Sequence, residues 1–278
     1  MSYKINAMYF SPTGTTKKIV TGISEKIFDN SDLTNKINYI DFTPLENRCD
    51  KLLFNESDLL IIGVPVYAGR VPNVLLKYLS DVKGMGTLAV PIVVYGNRNY
   101  DDALIELKYI LESNGFNIIA AAAYIGEHSF SYTLAKGRPD DEDMRIVTQF
   151  GEIIQSVLLK QNQNVKVEVE GHTPLRPYYM PRDNMGNTVD IRKVIPKTKD
   201  YCNDCKVCAK TCPMGSIDNT NPRKLNGICI KCGACIKMCP LHAKYFDDLG
   251  YLRHKEELEI NFAERREPEL FFGKIDNK

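Results

Sequence analysis

The chain has 278 residues, of which 44% are hydrophobic and 26% are charged, as in a soluble globular protein. Its 36 lysine and arginine residues nearly balance 35 aspartate and glutamate residues, and no long basic run occurs, so no nucleic acid partner is expected. Because the sequence has no run of 18 apolar residues and no signal-type N-terminus, we expect a cytoplasmic protein without a membrane span. In that compartment, nine cysteines are more typical of metal or redox ligands than of disulfides.

Five segments have the apolar patterns of strands, either alternating or continuous. They are residues 3–10, 33–42, 57–66, 88–95 and 116–124. Apolar residues at helical spacing predict helices around residues 19–27, 74–79 and 104–111, and a fourth helix over residues 140–160. Pro91 lies inside the fourth strand, which is unusual for a central strand because proline lacks an amide hydrogen.

The alternation of strands and helices over residues 1–160 predicts an α/β domain with a parallel sheet. Five strands in this length match the flavodoxin-like doubly wound arrangement, a five-stranded parallel sheet that binds ligands outside the carboxyl ends of its strands. Residues 161–195 contain several prolines and glycines, and we interpret them as a connector with at most one strand. Residues 196–250 are predicted to form a second domain, and residues 251–278 a charged tail that is helical in part.

Eight of the nine cysteines lie between positions 202 and 239, in two copies of one pattern. Both copies read C-x2-C-x2-C-x3-C-P, 27 residues apart, which is typical of bacterial ferredoxins with two [4Fe–4S] clusters. The pattern predicts a small α+β ferredoxin-like domain in which the fourth cysteine of each copy ligates the other cluster. One expected ligand set is therefore Cys202, Cys205, Cys208 and Cys239. The other is Cys229, Cys232, Cys235 and Cys212.

Zinc is the alternative for these cysteines. The pair Cys205 and Cys208 with the pair Cys229 and Cys232 also has the spacing of a zinc site. That interpretation leaves four cysteines and both prolines of the pattern unexplained. Cys49 lies far from the motifs in sequence and is interpreted as a bystander.

Lysines are frequent inside the cysteine motifs, and two explanations remain open. Oxidised clusters with four thiolates each are net anionic, so the lysines offset that charge. Alternatively, they guide the docking of a redox partner protein. The lysines concerned are Lys206, Lys210, Lys231 and Lys237.

The first predicted strand is followed by a short hydroxyl-rich loop that leads into a helix. Hydroxyls and backbone amides at a helix N-terminus can bind a phosphate, aided by the helix dipole. An ordinary helix cap is the alternative. No G-K-[ST] follows, so the loop is not a Walker loop. This hydroxyl loop consists of Ser11, Pro12, Thr13, Gly14, Thr15 and Thr16.

Three further loops, residues 65–72, 95–100 and 126–131, leave the same edge of the predicted sheet. Each combines small and aromatic residues, which suits a flavin ring because aromatic faces stack on it and backbone groups bind its polar atoms. Ordinary turn chemistry is the alternative for each loop. Together with the hydroxyl loop, they predict an FMN site. The candidate contacts in these loops are Pro65, Tyr67, Ala68, Gly69, Tyr95, Gly96, Asn97, Arg98, Tyr100, His128 and Ser129.

The chain resembles bacterial flavodoxin–ferredoxin fusion proteins over almost its whole length. The resemblance lies in the cysteine motifs and in the segments FSPTGTTKKIV, PVYAGRVPN, YGNRNYDDAL, GEHSFS and RREPELF. It implies that Ser11, Thr13, Gly14, Thr15 and Thr16 hold the FMN phosphate. It also implies ring contacts from Tyr67, Gly69, Gly96, Asn97 and Tyr100. Because the chain has no tryptophan, ring stacking would fall to Tyr67, Tyr95 or Tyr100.

The hypothesis that follows is an electron-transfer protein that passes electrons between two [4Fe–4S] clusters and FMN, linking one-electron and two-electron redox partner proteins. One alternative is an iron–sulfur flavoprotein oxidoreductase that reduces a small quinone-like molecule. Another is a non-redox interaction module with structural clusters. Within the site, His128 is either a proton donor to reduced flavin or an ordinary loop histidine. Arg70 and Arg98 either stabilise an anionic flavin or are surface residues.

Overall fold

The computed structural model describes most of the chain, namely residues 2–29, 34–159, 166–183 and 185–273. The predicted boundary between residues 160 and 161 and the last residues of the predicted tail, 274–278, lie outside the described residues. Within the described ranges, no helix combines the length and the apolar character needed to cross a membrane.

The described residues form eleven strands and seven α-helices. The strands are β1 (Tyr3–Tyr9), β2 (Thr34–Asp41), β3 (Leu53–Phe54), β4 (Asp58–Pro65), β5 (Lys83–Gly84), β6 (Thr87–Tyr95), β7 (Phe116–Ile118), β8 (Ala120–Ile125), β9 (Lys197–Thr198), β10 (Lys244–Tyr245) and β11 (Glu269–Phe272). The helices are α1 (Thr15–Phe28), α2 (Leu76–Asp81), α3 (Ala103–Ser113), α4 (Asp141–Leu159), α5 (Val207–Lys210), α6 (Ala234–Lys237) and α7 (Leu249–Asn261). Short 3₁₀ helices occur at Leu45–Arg48, Asn73–Leu75 and Ile191–Lys193.

One large sheet contains seven of these strands in the order β11-β8-β6-β4-β1-β2, with β7 also paired to β6. All of its pairs are parallel except that of β11 with β8. The five main parallel strands, taken in chain order, therefore lie as 2-1-3-4-5, which is the flavodoxin-like order of a doubly wound sheet. The order reverses between β1 and β4, and such sheets bind ligands at this switch point.

The predicted α/β sheet is confirmed as mostly parallel, but it has seven strands rather than five and is not purely parallel. The fifth predicted strand, 116–124, is divided: β7 pairs with residues 87–89 of β6, and β8 with residues 92–95. Ile119, between β7 and β8, donates its backbone amide to the carbonyl of Ala89 in β6. The edge of β6 that carries this carbonyl therefore faces the divided strand. Pro91 lies opposite the break because it has no amide hydrogen for the ladder.

The seventh strand corrects the interpretation of the tail. β11 comes from the segment predicted as a charged, partly helical tail, and it pairs antiparallel with β8 over Ala120–Ala123. The predicted helical part is present as α7. The chain thus leaves the sheet after α4, forms the cysteine-rich segment, and returns to the sheet edge.

Hydrophobic layers cover both faces of the sheet, because alternate side chains of a strand point to opposite faces. On one face, α1 and α4 pack against β1 and β4 through residues such as Ile19, Ile23, Phe150, Ile5 and Ile61. On the other face, α2 and α3 pack through residues such as Leu79, Leu104, Met8 and Leu60. Burial on both faces explains why the central strands have continuous apolar runs in the sequence.

Residues 197–245 repeat their backbone conformation with the 27-residue period of the cysteine motif. α5 and α6 occupy corresponding positions, and β9 pairs antiparallel with β10. Positive φ angles recur in step, at Asp204 (55°) and Lys231 (55°), and again at Lys206 (62°) and Gly233 (76°). The two cysteine motifs therefore adopt equivalent turns.

The described part of the connector packs on the loops at the carboxyl edge of the sheet. The fully buried carboxylate of Asp102 accepts from the backbone amides of His172 (3.1 Å) and Arg176 (2.7 Å) and from the Arg176 guanidinium (2.7 and 3.0 Å). Burial raises the pKa of Asp102, but these donors together outweigh burial and hold the pKa below its usual value. The amide of Tyr179 donates to the carbonyl of Ala68 at 2.8 Å. The connector is thereby fixed to the loops after β4 and β6.

Candidate functional site

The cysteines of the second expected ligand set line one small cavity within residues 197–245. These are Cys212, Cys229, Cys232 and Cys235. Burial, together with the neighbouring sulfurs of Cys212 and Cys229, raises the pKa of the Cys232 thiol to about 12. Four sulfurs directed into one cavity can be thiolates together only if cations lie between them, as iron would. The donor set therefore fits a cluster.

Three members of the first expected set also lie together. Burial raises the pKa of the Cys208 thiol, and the sulfurs of Cys202 and Cys239 contribute to the rise, so these three are electrostatic neighbours. Cys205, the fourth member, is exposed at the surface of the same motif. Cys239 therefore lies near cysteines of the first motif, and Cys212 lies near cysteines of the second.

Backbone donors support the crossing cysteines in the same way in each half. The amide of Ser216 donates to Sγ of Cys212 at 3.4 Å. The amide of Ala243, at the equivalent position of the repeat, donates to Sγ of Cys239 at 3.2 Å. Hydrogen bonds to a sulfur favour its anionic form, which is the form that binds metal.

The arrangement that zinc would need is not formed by the described residues. Zinc requires the pair Cys205 and Cys208 to meet the pair Cys229 and Cys232. Instead, Cys208 lies near Cys239, the fourth cysteine of the second motif. Cys229 and Cys232 share a cavity with Cys212, the fourth cysteine of the first motif. In the described ranges, no group of three or more His, Cys, Asp or Glu side chains could hold a single metal ion.

The hydroxyl loop between β1 and α1 presents free donors at a helix N-terminus. Gly14 precedes the first helical residue at φ +87°, and nothing lies within 4 Å of the position that its Cβ would take. Oγ of Ser11 accepts from the amide of Lys17 in the first turn of α1 at 2.9 Å, so this amide is already satisfied within the protein. The amides of Thr13, Thr15 and Thr16 donate to no other described residue. With the positive end of the α1 dipole, they can bind a phosphate.

A cavity adjoins this loop at the carboxyl ends of the strands. It is lined by the hydroxyl loop, by the loops after β4, β6 and β8, and by Cys232 of the second cysteine motif. It shares Tyr67, Tyr95, Gly96, His128 and Ser129 with a second cavity of about 190 Å³. The structure therefore brings the four predicted loops together around connected space, as a ligand with a phosphate at one end and a ring at the other requires.

The second cavity is also lined by parts of the chain that were not predicted to take part. These are Tyr179, Pro181 and Ile191 of the connector, Ile230 and Lys231 of the second cysteine motif, and His254 and Leu258 of α7. Their sequence context gives little indication of this role, because each reaches the cavity through contacts between segments distant in the chain. Tyr179 is the exception, since two adjacent tyrosines in a proline-rich segment indicate packing against another element.

The second cysteine motif reaches the cavity wall directly. Burial raises the pKa of Tyr67 well above its usual value, and the sulfurs of Cys232 and Cys229 add to the rise, so the tyrosine lies beside both. A Cβ on Gly233 would lie 2.6 Å from the carbonyl oxygen of Ser129, in the loop after β8. The two segments are therefore in backbone contact at this point.

His128 lines both cavities. Its Nδ1 accepts from the backbone amide of Phe130 at 3.1 Å. Burial, and then the neighbouring side chains of His254 and Lys237, lower its pKa to about 4. The ring is therefore neutral at physiological pH, and with Nδ1 as acceptor its proton is on Nε2. This geometry provides a hydrogen-bond donor to a ligand and does not provide a charged proton donor near pH 7.

Two predicted ring contacts, Asn97 and Tyr100, line neither cavity. The amide of Asn97 donates to the carbonyls of Phe262 (2.6 Å) and Glu264 (2.8 Å). Tyr100 is buried, and its hydroxyl donates to the carboxylate of Glu269 in β11 at 2.6 Å. Both side chains therefore fix the C-terminal segment against the loop after β6.

Arg70 and Arg98, the two arginines of the loops after β4 and β6, differ in whether they line the second cavity. Arg70 pairs with Glu106 at 2.6 Å and lies 5.0 Å from the ring centre of Tyr178, so it has a structural role. Arg98 pairs with Asp101 but also lines the second cavity, with its guanidinium 4.8 Å from the ring centre of Tyr179.

Two of the four motif lysines are bound within the protein. The ammonium of Lys231 donates to the carbonyls of Arg192 and Cys229, the latter at 2.8 Å. That of Lys237 pairs with Glu127 at 2.5 Å and lies 4.0 Å from the ring centre of Tyr132. These contacts join the second motif to neighbouring segments, which leaves the exposed Lys210 as the clearer candidate for partner docking.

By structure, the chain is similar to a flavodoxin from the domain Archaea, with 16% identity over 56% of this chain and 99% of that protein, at a TM-score of 0.39. It is similar to the apo form of an NADH:FMN oxidoreductase, with 18% identity over 55% of this chain and 90% of the other, also at 0.39. A third similar structure is oxidised flavodoxin 1 from Bacillus cereus, with 18% identity over 57% of this chain and 98% of the other, again at 0.39. No protein family matches the chain by sequence, and no curated protein matches it.

Proposed function

We propose that this protein transfers electrons between FMN, bound at the carboxyl edge of the sheet, and two [4Fe–4S] clusters held by the two cysteine sets. When bound, these groups would supply one-electron chemistry at the clusters and one- or two-electron chemistry at the flavin. The observation that carries the proposal is the position of Cys232. It belongs to the second cysteine set, and it also lines the cavity beside the hydroxyl loop.

The proposed FMN site follows from the free donors around the two cavities. The amides and hydroxyls of Thr13, Thr15 and Thr16 would hold the phosphate. Nε2–H of His128 would donate to the flavin. The cavity walls would contribute Pro65, Tyr67, Ala68, Gly69, Tyr95, Gly96, Arg98 and Ser129. Asn97, Tyr100 and Ser11 would act indirectly, by holding the segments that carry these groups.

The proposed domain division is 1–160, 161–195 and 196–250, with one change at the C-terminus. We assign β11 to the first domain, because it pairs with β8. The cysteine-rich segment is then an insertion between α4 and the last strand of the sheet.

The residues that line the second cavity favour an electron carrier over a reductase of a quinone-like substrate. A substrate needs space over the flavin ring that is open to its entry. Here Tyr179, Ile230 and His254, from the connector, the cysteine motif and α7, line the same cavity. These segments would cover the ring and leave the cysteine motif as its neighbour.

Anaerobic purification with assays of iron, sulfide and released flavin tests the proposal. We expect about eight irons and one FMN per chain. Cys232→Ser should lose about half of the iron, whereas Cys49→Ser, which changes an exposed cysteine outside the motifs, should keep it all. Iron without flavin, even after addition of FMN, would contradict the FMN site. Equal iron in the two cysteine variants would contradict the assigned ligand sets.

A further inference from the structure

Lys244 is a buried lysine for which no carboxylate partner exists among the described residues. The residue is 4% exposed. Its ammonium donates to the hydroxyl of Thr198 at 2.7 Å and to the carbonyl of Pro222 at 2.5 Å, and both acceptors are neutral. A buried ammonium is stable only with compensating negative charge nearby, because leaving water removes its hydration. The described Asp and Glu side chains do not provide that charge.

The internal repeat shows that the fold itself does not need a lysine here. The position 27 residues earlier, which is the equivalent one in the first half, is Ile217. Ile217 is 3% exposed and packs in the small core of this segment with Cys208 and Cys235. An isoleucine thus fills the equivalent site in one half, whereas the other half has a cation.

The repeat places Lys244 beside one cysteine of each ligand set. Ile217 packs with Cys208 of the first set and with Cys235 of the second. Cys208 and Cys235 are themselves equivalent positions, 27 residues apart, as are Ile217 and Lys244. Exchanging the two halves of the repeat therefore leaves Lys244 next to the same two cysteines, and a single cation lies within electrostatic reach of both.

We infer that Lys244 is a shared positive charge between the two proposed cluster sites, which compensates their thiolates and raises the reduction potential of both. This inference rests on the proposed function. Reduction of either cluster adds one electron from the reductant and no proton to Lys244, so the negative charge near the ammonium increases by one. A nearby cation stabilises the added charge, more strongly in a buried site than in water.

The test compares two variants of the full chain. Lys244→Ile introduces the residue of the equivalent position, and Lys244→Arg keeps the charge. Both are purified without oxygen, assayed for iron and sulfide, and titrated with dithionite at controlled potential while electron paramagnetic resonance follows the reduced clusters. We expect the isoleucine variant to make reduction of each cluster at least tenfold less favourable, a downward shift of 59 mV or more for one electron. The arginine variant should shift by less than half of that.

Each outcome decides the inference. An isoleucine variant with full iron and unchanged potentials, or with only one potential shifted, overturns it. If the isoleucine variant lacks iron and the arginine variant retains it, the charge is needed to hold the clusters, which supports the inference. If both variants lack iron, the requirement is for the shape of lysine and the inference is wrong. A wild-type chain without iron would instead contradict the proposed function, on which the inference depends.

Discussion

Gly233→Ala tests the contact between the second cysteine motif and the loop after β8. Gly233 has a φ of +76°, and a Cβ there would lie 2.6 Å from the carbonyl oxygen of Ser129, whereas ordinary contact begins at 3.4 Å. An alanine would therefore force the two backbones apart. Left-handed backbone costs about 1 kcal/mol for a residue with a side chain, and overpacking costs about 1–3 kcal/mol. We expect the free energy of unfolding to fall by about 3 kcal/mol.

The internal repeat provides a matched control for this substitution. Lys206 occupies the equivalent position with a φ of 62°, so the same turn forms there with a long side chain. Lys206→Ala keeps that turn and should change the free energy of unfolding by less than about 0.5 kcal/mol. A large effect at Gly233 alone would then come from the contact with Ser129 and not from the turn.

Thermal unfolding followed by circular dichroism measures the difference between the two variants. For a chain of this size, about 3 kcal/mol corresponds to a fall in Tm of about 6 °C or more. Iron content should stay complete in both variants, because the turn that carries the cysteines is retained. If the Gly233→Ala protein has the same Tm as the wild type, the two segments do not approach each other closely. The argument that Cys232 forms part of the cavity wall would then be refuted as well.

Three further predictions concern the loops around the cavity. Glu269→Ala leaves the buried Tyr100 hydroxyl without its acceptor, so urea denaturation should show a loss of about 1–3 kcal/mol, whereas exposed Glu267→Ala should change stability by less than about 0.5 kcal/mol. Equal losses would contradict a role for β11 in fixing Tyr100. His128→Ala removes the Nε2–H group that we propose donates to the flavin, so FMN fluorescence titration should show about fivefold weaker binding, equivalent to a hydrogen bond of about 1 kcal/mol. Unchanged binding would place His128 outside the site. The folded pKa of Asp102 is lower than the 3.8 of an unfolded carboxyl, so its contribution to stability is complete above that pH and is lost as the pH falls below it. Asp102→Asn should therefore flatten the dependence of Tm on pH below about 4, and an unchanged acid dependence would show that Asp102 does not interact with the connector.

Local patterns in the sequence were sufficient for the main strands, whereas the cysteine ligand sets stay a prediction. Continuous apolar runs predicted β4 and β6, because strands buried on both faces need apolar residues on both. The spacing of the cysteines predicted that Cys212 and Cys239 would cross between the motifs, and the structure places each with the opposite motif. Pro91 in β6 also explains why the fifth predicted strand is divided into β7 and β8. The sequence shows that Pro91 weakens a ladder, but it does not show which neighbouring strand is interrupted.

Contacts between distant segments could not be predicted in this way. β11 has the charged surroundings of a tail, and it becomes a strand only because the edge of β8 is available for pairing. Tyr100 has the aromatic character expected of a ring contact, but its hydroxyl bonds to Glu269, 169 positions later in the chain. Asp102 holds Arg176 across 74 positions. Periodicity and spacing describe neighbours in the chain, so these pairs leave no signal in either.

The insertion of the cysteine-rich segment has a physical consequence for the proposed function. A domain joined by a single flexible linker would meet the flavin site only by diffusion within its tether. Here the segment is held on its N-terminal side by Asp102 with Arg176, and on its C-terminal side by Asn97, which bonds to the chain just after α7, and by β11. Closing a segment at both ends removes most of the conformational freedom that docking would otherwise have to overcome. The position of Cys232 beside the cavity is therefore a property of the fold and does not depend on a chance encounter of two domains.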